Sequence, residues 1–211
     1  RRDISNAFTS VVQAAQEELF SNLSNEDVAV VTTSAFTAMV AKLKSDDAAE
    51  GSDGMARVET TVPGSDVKAS VPANLVASFG NDIVAVLAVY STETIQVSIG
   101  NDTMYSSTGE TVSVSGIVRF ELAKLDGSKY NVKGLAEPIY LTLPANWTVG
   151  LACAYWDETE RFWSNYGVVS DVDAEGKLVC VITHLSIFGA MARGFVDALL
   201  CFDLTMFTLD G

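Results

Sequence analysis

The clearest periodic pattern lies at the start of the chain. Ile4, Phe8, Val11, Val12, Ala15 and Leu19 recur at helical spacing, and Glu17 and Glu18 fall on the opposite side. The spacing predicts a helix over Asp3 to Phe20, with Asp3 or Ser5 at its N-cap and the polar run SNLSN as its stop. Asp27 to Leu43 reads two ways, because Phe36, Met39, Val40 and Leu43 suit a helix while VAVVTT and the β-branched content suit a strand. Lys44 to Gly54, KSDDAAEGSDG, is acidic and glycine-containing and reads as an exposed loop.

Beyond it the pattern changes to short β-type runs divided by turn residues. These are Arg57 to Val62, Val67 to Val71, Ile83 to Tyr90, Thr94 to Ile99, Thr111 to Leu125 and Ile139 to Leu143. Asp126-Gly127 is a hairpin signal between two of the runs. Ile83 to Tyr90 is nearly continuous in apolar residues, which predicts a central strand buried on both faces. Short strands without intervening helices predict a mainly β chain with a short N-terminal helical segment: a twisted antiparallel β-sandwich.

Charge narrows the partners. With 13 basic and 27 acidic residues the net charge is −14, which repels nucleic-acid phosphates and anionic headgroups. No run of eighteen apolar residues is present, so any membrane attachment is expected through a span outside this segment. The opening RRDIS lacks a methionine and fits a piece of a larger precursor. Three N-x-S/T triplets begin at Asn22, Asn101 and Asn146, and these are candidate glycosylation sites. Cys153, Cys180 and Cys201 are compatible with one disulfide and a leftover thiol, or with three free thiols.

The common chemistries find few residues. A single histidine builds no multi-histidine metal centre, there is no C-x-x-C pair, and neither a phosphate loop nor a nucleophile elbow is present; no metal and no cofactor is expected. Asp46-Asp47 and Asp157-Glu158 lack the spacing of a calcium loop. Along one strand, Cys180 and His184 would stand roughly 13 Å apart, beyond hydrogen-bond reach. His184 and Ser186 differ, since a tight turn at Leu185 would bring the imidazole onto the hydroxyl, and the nearest acyl group is the Leu185 carbonyl.

Those residues sit in a longer constellation. Cys153-Ala-Tyr155-Trp156-Asp157, then Trp163 and Gly167, then Cys180, then His184-Leu185-Ser186-Ile187-Phe188 follow in order. This segment resembles the G-protein-coupled-receptor proteolysis site (GPS), which closes the GAIN domain of adhesion G-protein-coupled receptors and polycystin-like membrane proteins. Upstream, SVPANLVAS at Ser70 to Ser78 and GLAEPIYLTLP at Gly134 to Pro144 resemble the sandwich subdomain of the same family, and Asp27 to Leu43 would then end in its first strand. The family's second and fourth cysteines fall on Val168 and Ile182, while Cys153 and Cys180 match the other pair.

The resemblance implies a Cys153–Cys180 disulfide closing a loop of about 27 residues, an oxidising compartment, and a location at the cell surface. It implies a helical subdomain over 1–30, a sandwich over 31–192 with the GPS motif at 150–192, and a tail over 193–211. It further implies that His184 draws the proton from Ser186, whose oxygen attacks the Leu185 carbonyl, so that the chain cuts itself between Leu185 and Ser186. The cut strand, Phe188 included, would stay bound to the rest, and the other partners would be further domains of the parent protein. The alternative is an uncleaved spacer or adhesive module in a surface or filament-forming glycoprotein. In either case no activity on an external substrate is expected, Trp156 and Trp163 are core aromatics, and Cys201 is buried or unpaired.

Overall fold

A computed structural model describes Ala15 and residues 18–23, 26–80, 82–91, 104–105 and 111–193. Two antiparallel sheets face one another. The first runs β1 (Val28–Thr32), β2 (Phe36–Lys42), β6 (Ile83–Tyr90), β8 (Thr111–Lys124), β14 (Ser186–Arg193), β10 (Leu151–Asp157) and β11 (Phe162–Ser164), with β7 (Met104–Tyr105) also on β8. The second runs β12 (Val169–Val172), β13 (Lys177–Ile182), β9 (Ile139–Asn146), β5 (Lys68–Pro72), β4 (Ala56–Thr61) and β3 (Ala49–Glu50).

The first sheet is buried on both faces. From β6, Ile83, Ala85 and Leu87 point into the core between the sheets, joined there by Phe120, Leu141, Cys180 and Phe188. Val84, Val86 and Ala88 point the other way, into a second core covered by helical Leu19 and Leu23. With both pleat faces apolar, the alternation of a half-buried strand disappears, and the continuous run at Ile83 to Tyr90 is the result.

The same two-sided burial explains the ambiguity of Phe36–Lys42 within Asp27 to Leu43. This stretch holds two strands rather than one, β1 and β2, paired from Val28↔Ala41 to Thr32↔Thr37. The turn between them is fixed by the Thr33 hydroxyl, which donates to the Phe36 carbonyl and accepts from the Ala35 and Phe36 amides.

Three further expectations are corrected. Helical structure continues through Leu23, into the run read as its stop, because Leu23 is fully buried against the second core. The β-runs are interrupted by a helix at Ala73–Phe79, which buries Val76 and ends at Gly80. The Asp126-Gly127 turn forms, with Gly127 N–H donating to the Lys124 carbonyl, but it does not pair the two runs as a hairpin. β8 continues the first sheet and β9 lies in the second. The Lys44 to Gly54 loop contains a short 3-10 turn at Ser45–Asp47 and the two-residue strand β3. The run Thr94 to Ile99, Asn101, Cys201 and the tail from 194 lie outside the described residues.

Candidate functional site

The His184-Leu185-Ser186 triplet is the crossover between the sheets. β13 ends at Ile182 in the second sheet and β14 begins at Ser186 in the first, so the chain changes layers across Thr183, His184 and Leu185. Leu185 packs against the core between the sheets. Both ends of the crossover are anchored. Upstream, Cys180 on β13 is disulfide-bonded to Cys153 on β10, with Cα atoms 5.6 Å apart, which joins the two layers covalently. Downstream, β14 is paired on both edges, with β8 from Ser186↔Phe120 and with β10 from Tyr155↔Phe188. Phe188 is fully buried.

The imidazole of His184 sits between two rings. Tyr155 meets it edge-on at 4.5 Å between centroids and Phe188 lies 5.7 Å away, tilted. Burial lowers its pKa below the ordinary histidine value of 6.5; the Lys133 charge acts in the same direction and Asp157 opposes both. His184 is therefore neutral at physiological pH, and its buried Nε2 has no hydrogen-bond partner among the described residues. The Ser186 hydroxyl is engaged elsewhere: it donates to the main-chain carbonyl of Trp156 at 3.0 Å. The structure thus brings His184 and Ser186 to the same turn without bonding one to the other.

The other motif residues frame this turn. Trp156 and Trp163 are cross-strand partners on β10 and β11, packed edge-to-face at 5.8 Å, and both are buried, as core aromatics should be. Gly167 has φ +74° in the turn that leads to β12, a left-handed conformation that favours glycine. Val168 and Ile182, the positions of the missing cysteine pair, are buried in the core between the sheets. Asn22 and Asn146 are exposed. Lys133, the Trp156 carbonyl and Ser170, whose hydroxyl accepts the Cys153 amide at 2.8 Å, carry no signal in the sequence. Their roles depend on register between strands far apart in the chain.

The turn borders an open cleft of about 880 Å³, lined on one side by Tyr155, Asp157 and Ser186 and on the other by Lys129, Lys133 and Glu121. Leu185 and Ser186 both line this cleft and are half-buried. Among the described residues no group of three His, Cys, Asp or Glu side chains could hold a metal ion.

Two known proteins are similar to stretches of this chain. Adhesion G protein-coupled receptor G3 of Mus musculus is 28% identical over 102 residues, which is 46% of this chain and 18% of the receptor. The full extracellular region of zebrafish Gpr126/Adgrg6 is similar at a TM-score of 0.46 and 12% identity, covering 75% of this chain and 23% of that one. The chain thus spans less than a quarter of either relative. The family model described as GPS, GAIN subdomain B, matches residues 5–193. Nearly the whole length is covered by that match, and the chain belongs to the GPS family of GAIN subdomain B domains.

Proposed function

We propose that the chain is the extracellular GAIN/GPS module of a larger cell-surface protein, and that it cuts itself between Leu185 and Ser186. The observation that carries this reading is the neutral, unbonded Nε2 of His184 in a crossover anchored at both ends, two residues from a serine hydroxyl. In this mechanism Ser186 turns away from the Trp156 carbonyl and gives its proton to the imidazole. The oxygen then attacks the Leu185 carbonyl carbon, the Leu185–Ser186 C–N bond breaks, and the Ser186 nitrogen takes the proton from the imidazolium. The resulting Leu185 ester is hydrolysed by water from the cleft, leaving a Leu185 carboxylate and a new N-terminus at Ser186.

The position of β14 supports continued association of the two fragments. It lies inside the sheet with a neighbour on each edge, and burial of Phe188 alone contributes about 2 kcal/mol. In this reading the other partners are further domains of the parent protein. The exposed Asn22 and Asn146 are glycan acceptors. No helix among the described residues is long and apolar enough to cross a membrane.

A second reading, an uncleaved spacer module, is favoured by the Ser186–Trp156 hydrogen bond, which keeps the nucleophile off its base. Intact mass with N-terminal sequencing of the secreted domain separates the two. A new N-terminus at Ser186, lost in Ser186→Ala, supports self-cleavage. A single uncut chain that resists hydroxylamine supports the spacer.

A further inference from the structure

The outer face of the second sheet holds a second, smaller cleft of about 360 Å³, on the face turned away from the core between the sheets. Its floor is built from neighbouring strands. Ser70 on β5 stands opposite Tyr140 on β9, and Thr142 on β9 stands opposite Lys68 on β5 and Val179 on β13. Ser70 and Thr142 are each only 5% exposed, yet neither hydroxyl has a hydrogen-bond partner among the described residues. Both line the cleft. The two hydroxyls open onto the cleft floor and are unused by the fold, so both are free to accept a hydrogen bond from a ligand.

The charges around the floor are unequal. Arg57 lies beneath the cleft with its guanidinium on the Tyr140 ring, 4.1 Å to the centroid, and is neutralised by Asp53 at 2.6 Å. Lys68 is paired with Glu59 at 3.4 Å. Asp171 and Asp173, at the β12 side, have no ion-pair partner among the described residues. Two carboxylates without an ion-pair partner thus line the same cleft as the two hydroxyls, Asp171 accepting the Val172 amide and Asp173 those of Glu175 and Lys177, and Val179 adds an apolar side chain to the floor.

We infer that this cleft binds a cationic side chain, the ammonium or guanidinium of a lysine or arginine in a basic peptide segment of a partner. The hydrocarbon stem lies against Val179, the head group donates to Ser70 Oγ and Thr142 Oγ1, and the Asp171 carboxylate balances its charge. The net charge of −14 steers a basic partner toward the molecule. The site is on the opposite sheet face from the core beneath the GPS crossover and does not depend on cleavage.

The test uses the uncut Ser186→Ala chain, so that its outcome is independent of self-cleavage. Blocked tripeptides Gly-Lys-Gly and Gly-Arg-Gly are titrated into it and followed by amide chemical shifts, with the Nζ-acetylated lysine peptide as neutral control. Saturable shifts at Ser70, Thr142 and Val179 with the charged peptides, absent with the acetylated one, are expected. Asp171→Asn should weaken binding about fivefold, and Thr142→Val should weaken it while leaving the spectrum of the free protein otherwise unchanged. Absence of shifts, equal binding of the acetylated peptide, or unchanged affinity in Asp171→Asn would each overturn the inference.

Discussion

The Ser186 hydroxyl donates to the carbonyl of Trp156, thirty residues away, while the imidazole two residues away is left without a partner at Nε2. The hydroxyl proposed as nucleophile is held by a main-chain acceptor that cannot take its proton. Ser186→Ala removes both functions of the side chain. It should abolish any cut at Leu185–Ser186, and the lost hydrogen bond should cost about 1 kcal/mol in urea denaturation. A cut that persists in this variant would be the work of an outside protease.

His184 makes stability, and the proposed cleavage with it, depend on pH in a defined direction. Its folded pKa lies below 6.5, first through burial and then through Lys133, so the folded state resists protonation. As pH falls through 6.5 the unfolded chain takes up the proton first. The associated stability is full above 6.5 and is lost between 6.5 and the lower folded pKa. Over the same range the base is still neutral when folded, so the cleavage rate should stay level through pH 6.5 and drop only at lower pH. Lys133→Met should move that drop upward and Asp157→Asn should move it downward. A rate profile identical in all three proteins would exclude His184 as the titrating base.

The sequence was most legible where chemistry or continuous burial marks a residue type. The triplet, the cysteine pair and β6 are of this kind, since each requires particular side chains at fixed positions. It was least legible where the backbone does the work. The Trp156 carbonyl belongs to every residue alike, and only the pairing of β10 with β14 aims it at Ser186. The helix Ala73–Phe79 is hard to read for a related reason. It buries Val76 and half-buries Leu75 and Phe79 against the core, a stripe only seven residues long that is too short to set a period. β2 stayed ambiguous because a strand with both faces covered loses its alternation, and the same apolar residues then fit a helical period, whereas β1 is an edge strand whose exposed Val28 and Val30 hide its alternation.

The disulfide crosses between the layers, so its removal should loosen their association more than it disturbs either sheet. Its 27-residue separation corresponds to about 3.5 kcal/mol in the chain-entropy model. A Cys153→Ala/Cys180→Ala chain should lose roughly 2–4 kcal/mol of stability. Adding a reductant should bring the parent down to a similar value and leave the double variant unchanged. If the reductant also weakened the double variant, Cys201, the one cysteine left, would have to be bonded to a second chain.

Gly189 has a tighter role than its place in an apolar strand suggests. It sits where the pairing of β14 with β8 shifts register between Phe188 and Ala190. A Cβ there would lie 2.5 Å from Val114 Cγ1, and 3.4 Å from both the Ser115 carbonyl oxygen and the Trp163 ring. The valine is β-branched and buried, so it has little rotamer freedom to yield. Gly189→Ala should therefore destabilise the domain by about 1–3 kcal/mol. Because the closest clash is with one methyl group, Val114→Ala in the same chain should recover part of that loss, whereas in the parent it only opens a cavity. The two substitutions should then couple favourably in a double-mutant cycle of urea midpoints. Strictly additive losses would mean that the strand shifts as a whole to admit the methyl, and that the glycine is not held by Val114.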